Sequence, residues 1–77
     1  MPIAFILINA ELGKEDMVLA LVRALPEVKE AYMVYGVYDI IIKVEAETAQ
    51  AIKDAVFSKI RRIDNVRSTI TMMVHRG

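Results

Sequence analysis

The sequence lacks several side chains on which protein chemistry often depends. It has no cysteine and a single histidine, His75, close to the end of the chain. Without cysteine there is no disulfide framework and no thiolate metal site, and one histidine gives a transition metal too few ligands. Ser68, Thr69 and Thr71 have no histidine to activate them, which excludes a nucleophilic triad. We therefore expect no metal, no cofactor and no enzymatic activity, with His75 as a tail residue.

An excess of charge of either sign is also missing. Ten Lys and Arg residues balance ten Asp and Glu residues, so the formal net charge is +0. Because a nucleic-acid surface needs Lys and Arg gathered on one face, we expect no direct binding to nucleic acid. Arg61, Arg62 and Arg67 form a short basic cluster. This pattern is typical of a solvated helix end, and phosphate binding is the alternative.

Long apolar runs and a signal peptide are missing as well. No run approaches the ~20 apolar residues that a membrane-spanning helix needs, and Met1-Pro2-Ile3 has no charged leader region. We expect a cytoplasmic chain. Yet 56% of its 77 residues are apolar and the mean hydropathy is +0.39. Because a domain of this size buries only ~60% of its unfolded surface, we expect an oligomer to cover the remaining apolar surface.

The hydropathy pattern predicts four strands and two helices in the order β-α-β-β-α-β. Alternating residues predict the strands, and apolar residues three and four apart predict the helices. The predicted strands are 3–9, 28–35, 40–44 and 66–74, and the predicted helices are 14–25 and 49–63. Pro26 is expected to stop the first helix, and Asp64-Asn65 to supply the turn after the second, because asparagine tolerates the left-handed conformation that a helix exit often needs. Two right-handed crossovers then give a ferredoxin-like α+β fold, a four-stranded antiparallel sheet with both helices on one face. Residues 1–77 are expected to form a single domain.

Both the helix faces and the uncovered sheet face can be assigned from this pattern. In the first helix, Met17, Ala20, Leu21 and Ala24 are expected to form the buried stripe, and Val18, Val22 and Leu25 are expected to widen it. The sheet face without helices is expected to pack on a second copy of the chain. The residues predicted for this dimer interface are Met33, Tyr35, Ile41 and Met73.

The segment Gly36-Val37-Tyr38-Asp39 is the candidate site. Gly36 can adopt a positive φ, and the Asp39 carboxylate can accept from neighbouring backbone N–H groups. The corner therefore offers donors and an acceptor, while the segment 68–71 offers hydroxyls, and a zwitterion needs such a mixture. A plain hairpin turn is the alternative for these four residues.

Three short motifs together resemble a known family. Pro26-Glu27-Val28 with Glu30-Ala31 resembles its "lpeV-x-ea" motif, residues 36–39 match its G-x-[YF]-D corner, and residues 60–71 resemble "I-x-x-l-p-G-V-x-x-t-x-T". The chain is thus similar to a stand-alone RAM domain, the ligand-binding domain of the Lrp/AsnC (feast/famine) transcription regulators. Asn65 replaces the usual glycine.

The resemblance implies a function for the corner. In this family an amino acid or a related small effector binds between dimers, and the dimers assemble into rings of four or five, an octamer or a decamer. The residues implied for ligand binding are Gly36, Val37, Tyr38, Asp39, Thr69 and Thr71. No helix-turn-helix precedes the domain, so we expect it not to bind DNA by itself. Co-assembly with a full-length Lrp/AsnC regulator is a further implication.

Two other functions fit the same fold. Dimeric ferredoxin-like chains include small isomerases and cofactor-free oxygenases, and Asp39 would then be the candidate base. A purely structural oligomer is the third possibility.

Overall fold

The computed structural model describes residues 1–76 and has the predicted order of elements. The strands are β1 (Ile3–Ala10), β2 (Val28–Met33), β3 (Ile40–Glu45) and β4 (Val66–Met73), and the helices are α1 (Glu15–Arg23) and α2 (Ala49–Ala55), which continues as a π-helical segment, Val56–Ile60. The sheet is antiparallel, in the order β2-β3-β1-β4. The predicted ferredoxin-like fold is therefore confirmed.

The core lies between the helices and the two central strands. Ile6 and Ile8 of β1 and Ile40 and Ile42 of β3 are fully buried. The strand register pairs Ile6 with Ile42 and Ile8 with Ile40, so these side chains share one face. Branched aliphatic side chains pack well on a pleated surface, and these four fix which face of the sheet the helices cover.

Helix α1 contacts the sheet through one side of the predicted stripe. Val18 and Val22, which were predicted to widen the stripe, are its fully buried residues, while Met17 and Leu21 are 47% and 44% exposed. The centre of the stripe therefore lies one position from the predicted one. Six consecutive residues of this helix, 17–22, are apolar, so the period of the apolar residues alone does not define the centre of the buried arc.

The second helix begins as predicted and ends early. The Thr48 hydroxyl accepts from the Ala51 N–H at 3.0 Å and caps its first turn. The helix was predicted to reach Ile63, but it ends at Ile60 in the π-helical segment. There the Arg61 N–H donates to the Val56 carbonyl five residues back, at 2.9 Å.

Two residues adopt the backbone conformation expected of them. Asn65, which precedes β4, has φ 77°, the left-handed conformation predicted for a helix exit. Gly36 has φ 135°, which an L side chain rarely adopts. Both turns therefore have the residue type that their geometry needs.

The face of the sheet that the helices leave open is apolar at its centre. Phe5 and Leu7 of β1 pair with Met72 and Ile70 of β4, and Leu7 also pairs with Ile41 of β3. Residues directly opposite each other in antiparallel strands point to the same face, so these five side chains form one patch, named here the open-face patch. Ile41 lies where it was predicted.

Two other predicted interface residues lie on the opposite face. Met33 pairs with the buried Ile40, and Met73 pairs with the buried Ala4, so both belong to the helix-covered face. Tyr35 lies beyond the end of β2 and is fully exposed. The placement of Met33 and Met73 on the open face was wrong, because both faces of the sheet are apolar and alternation does not say which one the helices cover.

An ion pair joins the π-helical segment to the start of β2. Lys59 Nζ lies 2.6 Å from Glu27 Oε2. The hydrogen bond from Lys59, helped by a backbone hydrogen bond, holds the pKa of Glu27 below its usual 4.5. Because a depressed pKa means that the folded state prefers the charged form, the pair stabilises the fold above about pH 4.5 and loses this effect as the pH falls further.

We expect Lys59→Met to lower the free energy of unfolding at neutral pH by about 1 kcal/mol or less, since the pair is partly exposed. Urea unfolding of the wild type and the variant at neutral pH and at about pH 3 measures the effect. The difference should shrink at acid pH, where Glu27 is protonated in both proteins. An equal difference at both pH values would assign the effect to packing.

Candidate functional site

The corner between β2 and β3 is a closed loop. Strand β2 ends at Met33 and not at Tyr35 as predicted, because the chain turns earlier. The Val34 N–H donates to the Asp39 carbonyl at 2.8 Å and closes the loop at its base. Residues 34–39 therefore project as one unit from the end of the sheet.

Asp39 ties this loop to the central strand β1. Its carboxylate Oδ2 accepts from the Ala10 N–H at 2.9 Å, and its own N–H donates to the Ile8 carbonyl at 3.0 Å. The carboxylate was predicted to bind N–H groups close to it in sequence, but its partner lies 29 residues away. The register between β1 and β4 shifts at Asn9/Ala10, and at this bulge the Ala10 N–H bonds to the side chain.

A shallow pocket lies beside this loop. It has a volume of about 470 Å³ and is lined by Asn9, Ala10, Leu12, Glu15, Val37, Asp39, Arg67 and Ser68. We name it the corner pocket. It brings Val37 and Asp39 of the predicted corner together with the end of β1, the start of α1 and the start of β4. The pocket thus brings Ser68, from the hydroxyl-bearing segment 68–71, beside the corner within one chain.

The corner pocket contains both signs of charge. Asp39 and Glu15 supply carboxylates, and Arg67 supplies a guanidinium whose Nε lies 3.9 Å from Glu11 Oε1. At that distance the contact between Arg67 and Glu11 is a weak, exposed ion pair. A guanidinium suits a carboxylate ligand, and carboxylates suit an ammonium group, so the lining has groups for both ends of a zwitterion.

Two apolar side chains of the corner pocket are open to solvent. Leu12 is 92% exposed and Val37 is 85% exposed. The residues that the structure describes therefore leave most of both side chains uncovered. The pocket therefore has polar groups in place and apolar walls that face outward.

The other predicted ligand-binding residues lie outside this pocket. Thr69 and Thr71 line a different concavity, between β4 and the end of the second helix. Gly36 and Tyr38 belong to the loop beside the pocket without being among its lining residues. The sequence analysis missed Asn9, Glu15 and Arg67, which come from three separate elements.

Neither a metal centre nor a membrane segment is found in the part of the chain that the structure describes. Within residues 1–76, no three His, Cys, Asp or Glu side chains are grouped so that they could hold a metal ion. Over the same range, the helices are too short and too polar to cross a bilayer.

We expect Asp39→Ala to lower the free energy of unfolding by about 1 kcal/mol, because the partly buried Ala10 N–H loses its hydrogen-bond acceptor. Asp39→Asn should cost much less, because the amide oxygen can still accept from Ala10. Urea unfolding of both variants measures the difference. If both variants lose equal stability, the charge of Asp39 and not its acceptor oxygen holds the loop.

The chain matches the family model described as Lrp/AsnC ligand binding domain over residues 3–76. It is 41% identical over 56 residues to the regulatory protein AsnC of Escherichia coli K12, covering 73% of this chain and 37% of that protein. It is 35% identical over 72 residues to an uncharacterized HTH-type transcriptional regulator of Pyrococcus abyssi, covering 94% of this chain and 46% of that protein. The chain thus spans less than half the length of these curated relatives.

Solved structures show the same similarity. A hypothetical protein from Pyrococcus horikoshii has a TM-score of 0.92 and 43% identity, with 100% of this chain and 93% of that one covered. The crystal structure of FFRP-DM1 has a TM-score of 0.92 and 44% identity, with 96% and 99% covered. E. coli AsnC has a TM-score of 0.92 and 34% identity, with 99% and 52% covered. The chain belongs to the Lrp/AsnC family, as a ligand-binding domain of that family of transcription regulators.

Proposed function

We propose that the corner pocket binds a free amino acid where two copies of this chain meet, and that binding controls assembly in transcription regulation. The observation that carries the proposal is the composition of the pocket. The lining combines the carboxylates of Asp39 and Glu15 with the guanidinium of Arg67, and the chain matches a ligand-binding family model over residues 3–76. In this arrangement Arg67 binds the ligand carboxylate, and the two carboxylates bind its ammonium group.

The outward apolar walls support a site shared between copies. Leu12 and Val37 are among the most exposed apolar side chains of the molecule. Covering them with a second copy would exclude water from the pocket and strengthen its polar contacts. We therefore propose that the ligand lies between dimers, and the family resemblance implies a ring of four or five dimers.

The open-face patch supports the dimer from which such a ring would be built. Phe5, Leu7, Ile41, Ile70 and Met72 form the patch at the centre of the uncovered sheet. Packing two such sheets face to face buries both patches and gives an apolar interface with twofold symmetry. At the β2 edge of this face, the Tyr32 hydroxyl donates to Glu30 at 2.8 Å and Lys43 lies 3.4 Å from Glu30. This polar group would form part of the rim.

The proposal extends to the setting in which the domain works. The Pyrococcus abyssi relative is described as an HTH-type transcriptional regulator, which is a DNA-binding type, and this chain covers less than half of its length. We infer that the domain acts with a DNA-binding regulator of the same family, by mixed assembly, in the cytoplasm. The relatives named are regulators, which favours a binding role over the enzymatic alternative.

We expect one or a few of the standard amino acids to raise the melting temperature. A ligand at 100 times its dissociation constant stabilises the folded state by ~2.7 kcal/mol, which a thermal-shift screen detects. Calorimetry then measures the affinity of each amino acid that shifts the melting temperature. Asp39→Asn should weaken binding about tenfold or more, because it removes a charge from the ammonium site while keeping the Ala10 contact. Asp64→Asn, the same change outside the corner pocket, is the matched control.

Two outcomes would contradict this proposal. The first is an oligomeric protein that no standard amino acid stabilises. The second is binding that Asp39→Asn and Asp64→Asn weaken equally. A monomer by light scattering at micromolar concentration would remove the shared site itself.

We expect Met72→Lys to dissociate the dimer and Met73→Lys to leave it intact. The two residues are neighbours in β4 and both are partly exposed, at 47% and 37%, but only Met72 lies in the open-face patch. A buried, unpaired ammonium at a sheet-on-sheet interface is strongly unfavourable. Sedimentation velocity of both variants compares them under one set of conditions. Dissociation by Met73→Lys alone would move the interface to the helix-covered face.

A further inference from the structure

Helix α1 is apolar on its outward side as well as on the side that contacts the sheet. The apolar residues of the outward side are all exposed, and they are Met17, Ala20, Leu21 and Ala24. We name these four residues the outer stripe. Their spacing is that of a buried helix face, and a helix that is apolar all round is normally buried on all sides. The outer stripe is therefore expected to pack against a partner.

Neighbouring polar groups hold the two ends of the outer stripe in place. Asn65 Nδ2 donates to Met17 Sδ at 3.7 Å, which orients the thioether at the first turn. At the last turn, Arg23 Nη2 donates to the Ala31 carbonyl at 3.0 Å, so this long side chain lies toward β2 and not across the stripe. The small side chains of the two alanines leave room for another backbone to approach closely.

The order of large and small residues in the outer stripe suits a second copy of the same helix. In an antiparallel pair centred between Ala20 and Leu21, each Met17 lies beside the Ala24 of the other copy. Each Leu21 likewise lies beside the other Ala20. A large side chain then meets a small one at each contact, as ridges fit into grooves between packed helices. A parallel pair in register would place Met17 against Met17 and alanine against alanine, which packs poorly.

The charges beside the outer stripe favour the same arrangement. Asp16 and Arg23 lie on one flank of the stripe, at opposite ends, ~10 Å apart along the helix axis. Neither takes part in an ion pair within residues 1–76. In an antiparallel pair the same flanks of the two helices meet, so each Asp16 faces the Arg23 of the other copy. A parallel pair would bring like charges together, which is unfavourable.

We propose that the outer stripe binds the outer stripe of a second copy, as an antiparallel helix pair with twofold symmetry. This contact is separate from the open-face patch, which lies on the other side of the sheet. A contact between two nine-residue helices is smaller than the ~1,200 Å² of a stable interface, so it joins chains that another contact already holds together. Two self-complementary surfaces on one chain then link dimers into a larger assembly.

The size of that assembly rests on the proposed open-face dimer, whereas the helix pair itself does not depend on amino-acid binding. A cysteine cross-link tests the pair directly, because the chain has no cysteine of its own. Ala20 lies next to the proposed twofold axis, so Ala20→Cys should form a disulfide between copies on mild oxidation. Ala49→Cys, the same change at an exposed position of α2, is the matched control.

Non-reducing electrophoresis over time measures both cross-linking rates. We expect Ala20→Cys to cross-link about tenfold faster than Ala49→Cys or more, because the helix pair raises the effective concentration of the second thiol. Equal rates for the two variants would show random collision and overturn the proposal.

Ala20→Glu and Ala49→Glu test the effect on assembly. Both alanines are exposed, and glutamate is a good helix former, so both variants are expected to fold. The carboxylates introduced by Ala20→Glu would meet near the twofold axis and repel each other. In sedimentation velocity we expect the wild type and Ala49→Glu to exceed a dimer and Ala20→Glu to stop at a dimer. Equal sedimentation coefficients for the two variants would overturn the proposal.

The outcomes separate the helix pair from the proposed function. Fast cross-linking of Ala20→Cys in a protein that binds no amino acid would contradict the proposed function and support the helix pair. A wild type that binds an amino acid but remains a dimer, with slow cross-linking of Ala20→Cys, would overturn the helix pair alone.

Discussion

The structure depends on the fact that two helices can cover only one face of a four-stranded sheet. The helices fully bury four isoleucines of the central strands on that face, Ile6, Ile8, Ile40 and Ile42. The other face still has Phe5, Ile41 and Met72, so the chain has two apolar layers and the means to cover one. A small domain has little surface to spare for such a layer, and association is the simplest way to bury it. The proposed site between copies likewise depends on apolar side chains that one copy of the chain does not cover.

The sequence was sufficient for the order of elements and insufficient for the faces. Changes of period, Pro26 and the Asp64-Asn65 turn marked the elements, because these signals are local. The choice between the two faces of β2 and β4 is not local. In β2 the fully covered position is Ala31, which has a small side chain, and Met33 shares its face at the sheet edge. In β4 the more apolar residues, Ile70 and Met72, lie on the uncovered face, which reverses the usual inference from hydropathy.

The corner was predictable as a motif, while most of its pocket was not. Gly36 and Asp39 stand out because their types suit a turn, and Asp39 does form the expected backbone hydrogen bond, though to Ala10. Glu15 and Arg67 have ordinary local interpretations as a helix-end residue and a solvated cation. They become pocket residues only because α1 and β4 begin at the same end of the sheet. The spacing of these residues along the chain does not indicate that they are close in the folded structure.

The cluster of Tyr32, Glu30 and Lys43 has a consequence for the choice of partner. The hydrogen bond from Tyr32 and the bond from Lys43 lower the pKa of Glu30, so its carboxylate stays charged, and Lys43 meets it across the strands. A second copy of this chain presents the same balanced group to the rim of the sheet. A paralogue with two carboxylates there would place like charges together and be disfavoured. In the proposed dimer the apolar patch would make association favourable, and this small polar group would make it selective between a second copy of this chain and such a paralogue.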